Sequence, residues 1–161
     1  MIRKICALVA AVVLSGAAAA QEFSGLARPD PAQSRIAAAG EGVRIDLALS
    51  QGVPYRVFTL DQPPRLVLDF REVDWQGLDA SALLETDRVR GARVGVFRPG
   101  WSRMVLDLAG PYALDRSGLD VDGETGRARL RVTLDPVSAG AFAAAAGAPD
   151  LPGWARPAPA A

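Results

Sequence analysis

The residues of this chain best suited to chemistry are arginines held at a fixed spacing from aspartates. Arg65-Leu66-Val67-Leu68-Asp69-Phe70 recurs 38 positions later as Arg103-Met104-Val105-Leu106-Asp107-Leu108. Side chains of a strand alternate between faces, so Leu66, Leu68 and Phe70 share one face while Arg65, Val67 and Asp69 share the other. The second copy divides in the same way. Paired across a sheet, such arginines and aspartates stabilise it by roughly 0.2–1 kcal/mol per pair. Left facing solvent, they form a polar shelf whose forked guanidinium groups suit an anionic or hydroxyl-rich ligand. Trp101 stands on a proline turn between Arg98 and Arg103, where an exposed ring is expected. Arg98, Trp101 and Arg103, joined by Arg65, are therefore the candidate ligand-binding residues. Asp69, Asp107, Pro64, Pro99 and Gly100 belong to the architecture of the repeat.

Other chemistry is poorly served. The 161 residues contain no histidine, which removes Ser-His-Asp triads, Cys-His dyads and histidine-ligated zinc. Asp120, Asp122 and Glu124 flank Gly123 like part of a calcium loop, but the template places glycine at its sixth position, where Thr125 stands. No catalytic residue, metal or cofactor is assigned. A pair of the 18 acids acting on a glycan is the enzymatic alternative. Of the other aromatic residues, Tyr55 and Phe97 are candidates to stack on sugar rings, whereas Trp75 is expected at the edge of the core. Eighteen basic residues balance eighteen acidic ones, without the basic excess that nucleic-acid binding requires.

These residues need elements to position them. Residues 1–20 read as a secretory signal: Arg3 and Lys4, ten apolar residues at 5–14, then Ala18-Ala19-Ala20, with cleavage expected between Ala20 and Gln21. No twin arginine is present, so the general secretory route to the periplasm is expected. Cleavage removes Cys6 and the only lysine, leaving sixteen arginines against eighteen acids, a net charge of −2. The mature chain then has no membrane span and no disulfide, and its stability must come from burial. Residues 21–40 carry Pro29 and Pro31 without a sustained period and read as an extended lead-in. Residues 136–161 are dominated by Ala, Pro and Gly and read as a disordered linker or tail. Such a linker suggests the N-terminal piece of a longer protein.

Between them, residues 41–135 alternate as strands do. Val43, Ile45, Leu47 and Leu49 fall on one face. Short strands follow at 55–60, 66–70, 92–97 and 104–108, and the stretches 119–122 and 127–134 form a hairpin. Pro99-Gly100 fits the centre of a type II turn, and residues 79–85 hold one helical turn capped by Asp79 or Ser81. The pattern predicts an all-β sandwich. Each copy of the repeat is a strand, a proline turn and a returning strand, so a pseudo-twofold domain is expected, with one sheet from each copy.

Residues 54–70, PYRVFTLDQPPRLVLDF, and residues 97–108, FRPGWSRMVLDL, resemble the AMIN domain, and the resemblance spans about residues 43–134. It implies a sandwich of two symmetry-related sheets. It also implies a non-catalytic module that binds peptidoglycan and directs an attached N-acetylmuramoyl-L-alanine amidase to the division septum; the same module occurs in pilus secretins. The zinc hydrolase domain of those amidases has no counterpart here, so no zinc or catalytic residue is carried over. The expected partners are peptidoglycan, septal proteins and an amidase domain beyond the linker. A free-standing cell-wall or secretin-associated interaction protein is the alternative.

Overall fold

A computed structural model describes residues 25–150; the expected signal segment, with Ala20 and Gln21, and residues 151–161 of the tail lie outside the described residues. Nine strands form two sheets that pack into the expected all-β sandwich. Four antiparallel hairpins build it. The first joins β1 (Arg35–Ala39) to β2 (Gly42–Leu49), and the second joins β3 (Tyr55–Leu60) to β4 (Arg65–Arg71). After the short β5 (Leu84–Glu85), the third joins β6 (Val89–Arg98) to β7 (Trp101–Leu108), and the fourth joins β8 (Tyr112–Val121) to β9 (Ala128–Pro136). Hairpins one and four make a sheet of order β5-β1-β2-β9-β8; hairpins two and three make one of order β3-β4-β7-β6.

Period-two burial explains why these segments are strands. Val43, Ile45, Leu47 and Leu49 of β2 and Leu130, Val132 and Leu134 of β9 face Leu66, Leu68 and Phe70 of β4 and Met104, Leu106 and Leu108 of β7. Burying one such side chain fully contributes about 1.5–3 kcal/mol, which is what a domain of disulfide-free strands relies on. Trp75 closes this core, edge-on to Phe70 at 5.3 Å between ring centroids. The expected turn at 79–85 is a 3-10 helix, Ala80–Leu83, capped by the Asp79 carboxylate accepting from Ser81 N at 2.9 Å.

The repeat is arranged differently from the expectation of one sheet per copy. Both copies lie side by side in the four-stranded sheet, where β4 and β7 run antiparallel with Val67 opposite Val105. That register sets Arg65 opposite Asp107 and Asp69 opposite Arg103. An Arg-x-Val-x-Asp strand reversed upon its own copy sets opposite charges across from each other at both ends. Asp69 and Arg103 close into an ion pair, whereas Asp107 pairs with Arg93 of β6. The two sheets nevertheless share one pairing. In the five-stranded sheet β2 and β9 are the central pair, and Asp46 stands opposite Arg131 as Asp69 does opposite Arg103. Residues 131–135, Arg-Val-Thr-Leu-Asp, are a further, weaker copy of the motif.

Two terminal segments are more ordered than their composition suggests. Within the expected lead-in, Ile36 is fully buried on β1, and Ala27 and Pro29 make isolated bridges to Val73 and Leu49. Strand β1, Arg-Ile-Ala-Ala-Ala, has a single bulky apolar residue and so shows no period. Within the expected disordered tail, α1 (Ala139–Ala145) is capped by Ser138 and buries Phe142 in the core. Alanine has the highest helix propensity, and a single aromatic supplies the anchor that averaged composition hides.

A candidate ligand-binding face

The outward side of the four-stranded sheet carries the site, at the end closed by the β6–β7 hairpin. Strand β7 contributes Trp101 and Arg103 at alternate positions, opposite Arg71 and Asp69 of β4. Strand β3 adds Arg56 opposite Asp69 and Phe58 opposite Val67. Strand β6 carries a bulge between Val96 and Arg98. The additional residue re-aims the chain, so that Phe97 and Arg98, consecutive in sequence, both reach the same face. Arg98 accordingly lies 5.5 Å from the centroid of Phe97 and 3.8 Å from that of Trp101. The hairpin itself turns at Pro99-Gly100, with Gly100 at φ 72°, the conformation that a type II turn requires of its third residue. Gly100 O accepts from Glu72 N at 3.0 Å and fastens the tip to the end of β4.

At the centre is Asp69, a fully buried carboxylate. Arg103 meets it with two parallel bonds, Nε to Oδ1 at 2.6 Å and Nη2 to Oδ2 at 2.9 Å. Arg56 approaches Oδ2 from the other neighbour, with Nη2 at 2.8 Å. The aromatic rings then flank the guanidinium groups: Phe97 lies 4.7 Å and Phe58 5.9 Å from Arg103, and Phe58 lies 5.1 Å from Arg56. Stacking on a ring and bonding to a buried acid both restrict rotamers, so the arginine heads are set before any ligand arrives. Arg71 and Arg98 share Trp101, at 4.8 and 3.8 Å, and neither has a carboxylate within salt-bridge distance among the described residues.

Of the expected ligand residues, the fold therefore brings together Arg98, Trp101 and Arg103. It sets Arg65 apart: at the far end of β4, its Nε donates to Pro63 O at 3.2 Å. Trp101 is not the exposed ring that a turn suggested, since only 8 % of its surface remains accessible. Its neighbours Arg71, Arg98 and Phe97 cover it, and Phe97, 43 % exposed, is the open ring instead. Tyr55 is partly buried and packs against the core. Pro64 O accepts from Leu108 N at 3.0 Å, joining the proline turn to the end of β7. Arg56, Phe58 and Arg71 went unnoticed in the sequence; their signal was parity with Asp69, since each shares its face in β3 or β4.

Asp107, the counterpart of Asp69 in the repeat, pairs with Arg93 at 2.6 Å near the sheet edge, where both side chains are substantially exposed. Exposed pairs contribute little, so Asp107→Ala should cost under about 1 kcal/mol in urea denaturation. Asp122, in the loop that resembled a calcium site, is occupied by its own turn. Its Oδ1 accepts from Thr125 N at 2.7 Å, Thr125 Oγ1 at 2.9 Å and Glu124 N at 3.0 Å. These donors, the Thr125 amide foremost, hold its carboxyl below the ordinary 3.8. The ionised turn thus contributes stability above that value and loses it as pH falls further; a chemical-shift titration should place the Asp122 midpoint below 3.8.

What the face offers is donors and rings. Among the described residues the buried carboxylates are Asp46 and Asp69, and both are engaged by arginines, which they hold in place. Fold and site define a binding module: a sandwich that presents an arginine-aromatic face. The family model of the AMIN domain matches residues 34–134, and the chain belongs to that family. The matched span begins just before β1, inside the segment expected as lead-in. Membership implies a peptidoglycan-binding targeting module of the kind found in periplasmic proteins. No curated protein matches the chain. No helix of the described residues is long and apolar enough to cross a membrane.

Proposed function

We propose that this chain holds peptidoglycan in the periplasm through the outward face of its four-stranded sheet and brings an N-acetylmuramoyl-L-alanine amidase to the division septum. The observation that carries the binding role is the cluster of Arg71, Arg98 and Arg103 around Trp101 and Phe97, with two of the three arginines making no salt bridge among the described residues. Membership in the AMIN family supports the ligand. The amidase and septal parts rest on the family resemblance and on the Ala/Pro-rich residues 146–161, whose composition suits a linker. Peptidoglycan is a repetitive, hydrated polymer, and weak contacts to it add through multivalency.

Co-sedimentation of the exported protein with purified sacculi tests the binding, and a muropeptide-release assay run in parallel should show no turnover. Arg98→Ala should weaken sacculus binding roughly tenfold, the value of one charge-assisted hydrogen-bonded contact, with an unchanged melting curve. Arg65→Ala should leave binding as it is. Wild-type affinity in Arg98→Ala would place the site elsewhere. For the septal part, a fluorescent fusion of the full-length protein should concentrate at constriction sites; a uniform periplasmic signal would count against it.

A further inference from the structure

We infer that the Arg71–Trp101–Arg98 cluster reads free carboxylates of the peptidoglycan stem peptides and does not stack on the sugar rings of the glycan. The inference rests on the peptidoglycan reading and specifies which part of that polymer the site takes.

Trp101 would be the natural platform for a sugar, but its ring is committed. Arg98 lies 3.8 Å and Arg71 4.8 Å from its centroid, and the residue is 8 % exposed. No open face is left for a pyranose. The two guanidinium carbons must also lie within the sum of those distances of each other. Two like charges that share one ring favour an anion beside them over a neutral ligand. A guanidinium stacked by its flat face keeps its N–H edge free in the plane of the group, which is the geometry that grips a carboxylate with two parallel bonds.

The local charge balance points the same way. Arg56, Arg71, Arg98 and Arg103 stand at this end of the face with two acids, Asp69 and Glu72. Arg56 and Arg103 take the oxygens of Asp69, and Glu72, beside the hairpin tip, makes no salt bridge among the described residues. Arg98 Nε is buried with no hydrogen-bond partner. On a mature chain of net charge −2, this is a local excess of positive charge. Stem peptides carry carboxylates on flexible chains that can reach a partly enclosed cation pair; the neutral hydroxyl and acetamido groups of the glycan offer no charge to match it.

The experiment compares three polymers: native sacculi, sacculi whose carboxyl groups are amidated with carbodiimide and ammonium, and glycan strands stripped of stem peptides whose newly exposed lactyl carboxyls are amidated in the same way. The full chain should bind native sacculi at least tenfold more tightly than either of the others. Arg71→Gln with Arg98→Gln should lower binding to native sacculi by a similar factor and make it insensitive to amidation. Equal binding of native and amidated sacculi, or of bare glycan strands, overturns the carboxylate inference while leaving peptidoglycan binding intact. Absence of binding to native sacculi defeats the peptidoglycan reading, and the inference with it. Equal affinity for phosphatidylglycerol vesicles overturns the inference in favour of a general anion site. The amidation arm uses the wild-type chain, so it decides the matter even if the double variant does not fold.

Discussion

Asp69→Ala should destabilise the sandwich by about 3 kcal/mol, measured by urea denaturation, and should do so far more than the same change at Asp107. The two aspartates occupy matching places in the repeat, so sequence offers no reason to separate them. Burial does. The Asp69 side chain has no solvent exposure and holds Arg103, 34 % exposed, and Arg56, 13 % exposed. Removing the carboxylate strands two guanidinium groups on a partly covered face. Breaking a buried pair from one side costs 3–5 kcal/mol, and the lower end applies because both arginines reach some water. Binding should weaken as well, since Arg103 loses the bidentate contact that orients it. Asp69→Asn separates charge from shape: it retains one acceptor and the volume, and should fall between wild type and Asp69→Ala. A loss below 1 kcal/mol in Asp69→Ala would show that the arginines do not depend on this carboxylate.

Phe142→Ala should cost a similar or larger amount, about 3–5 kcal/mol, and should release α1 from the sandwich. The helix has seven residues, too few to persist alone in water, so its order must come from docking. Phe142 is 1 % exposed within the core, and Gly147 N donates to Thr59 O at 2.8 Å, which ties the end of the helix segment to β3. Without the ring, the core keeps a cavity and the helix loses its anchor. Amide hydrogen exchange over 139–147 should then rise to the rate of an unprotected chain while the strands stay protected. A chain ending at residue 136 should be at least as destabilised as Phe142→Ala, since it loses the ring together with the Gly147–Thr59 and Val137–Pro111 hydrogen bonds. Wild-type stability in that shortened protein would show that the helix is no part of the core.

Much of this molecule was legible in its residues because short-range rules govern those parts. Alternation located β2, β3, β4, β6, β7 and β9, since a strand buried on one face must repeat every two residues. Pro99-Gly100 announced its turn, and Asp79 its cap, because each feature lies in the conformational preference of one or two residues. Strand β1, most of β8 and α1 escaped for a common reason. Each buries few bulky side chains, so no apolar period marks it: β1 and β8 are held by pairing with the next strand, and α1 by the docking of Phe142.

The residues by themselves thus determined an all-β chain with Arg and Asp on the solvent side of a doubled motif, and the absence of histidine decided which catalysts it cannot build. Tertiary structure alone decided which strands are neighbours. Pairing β4 with β7 placed both copies in one sheet and turned Asp69 into a buried hub while leaving Asp107 at a half-open edge. It also moved Arg65 away from the site, brought Arg56, Phe58 and Arg71 into it, and covered Trp101 with cations. Alternation says which face a side chain takes, but not which strand lies beside it or how far along; those are set by contacts between segments tens of residues apart, whose energies no local pattern contains.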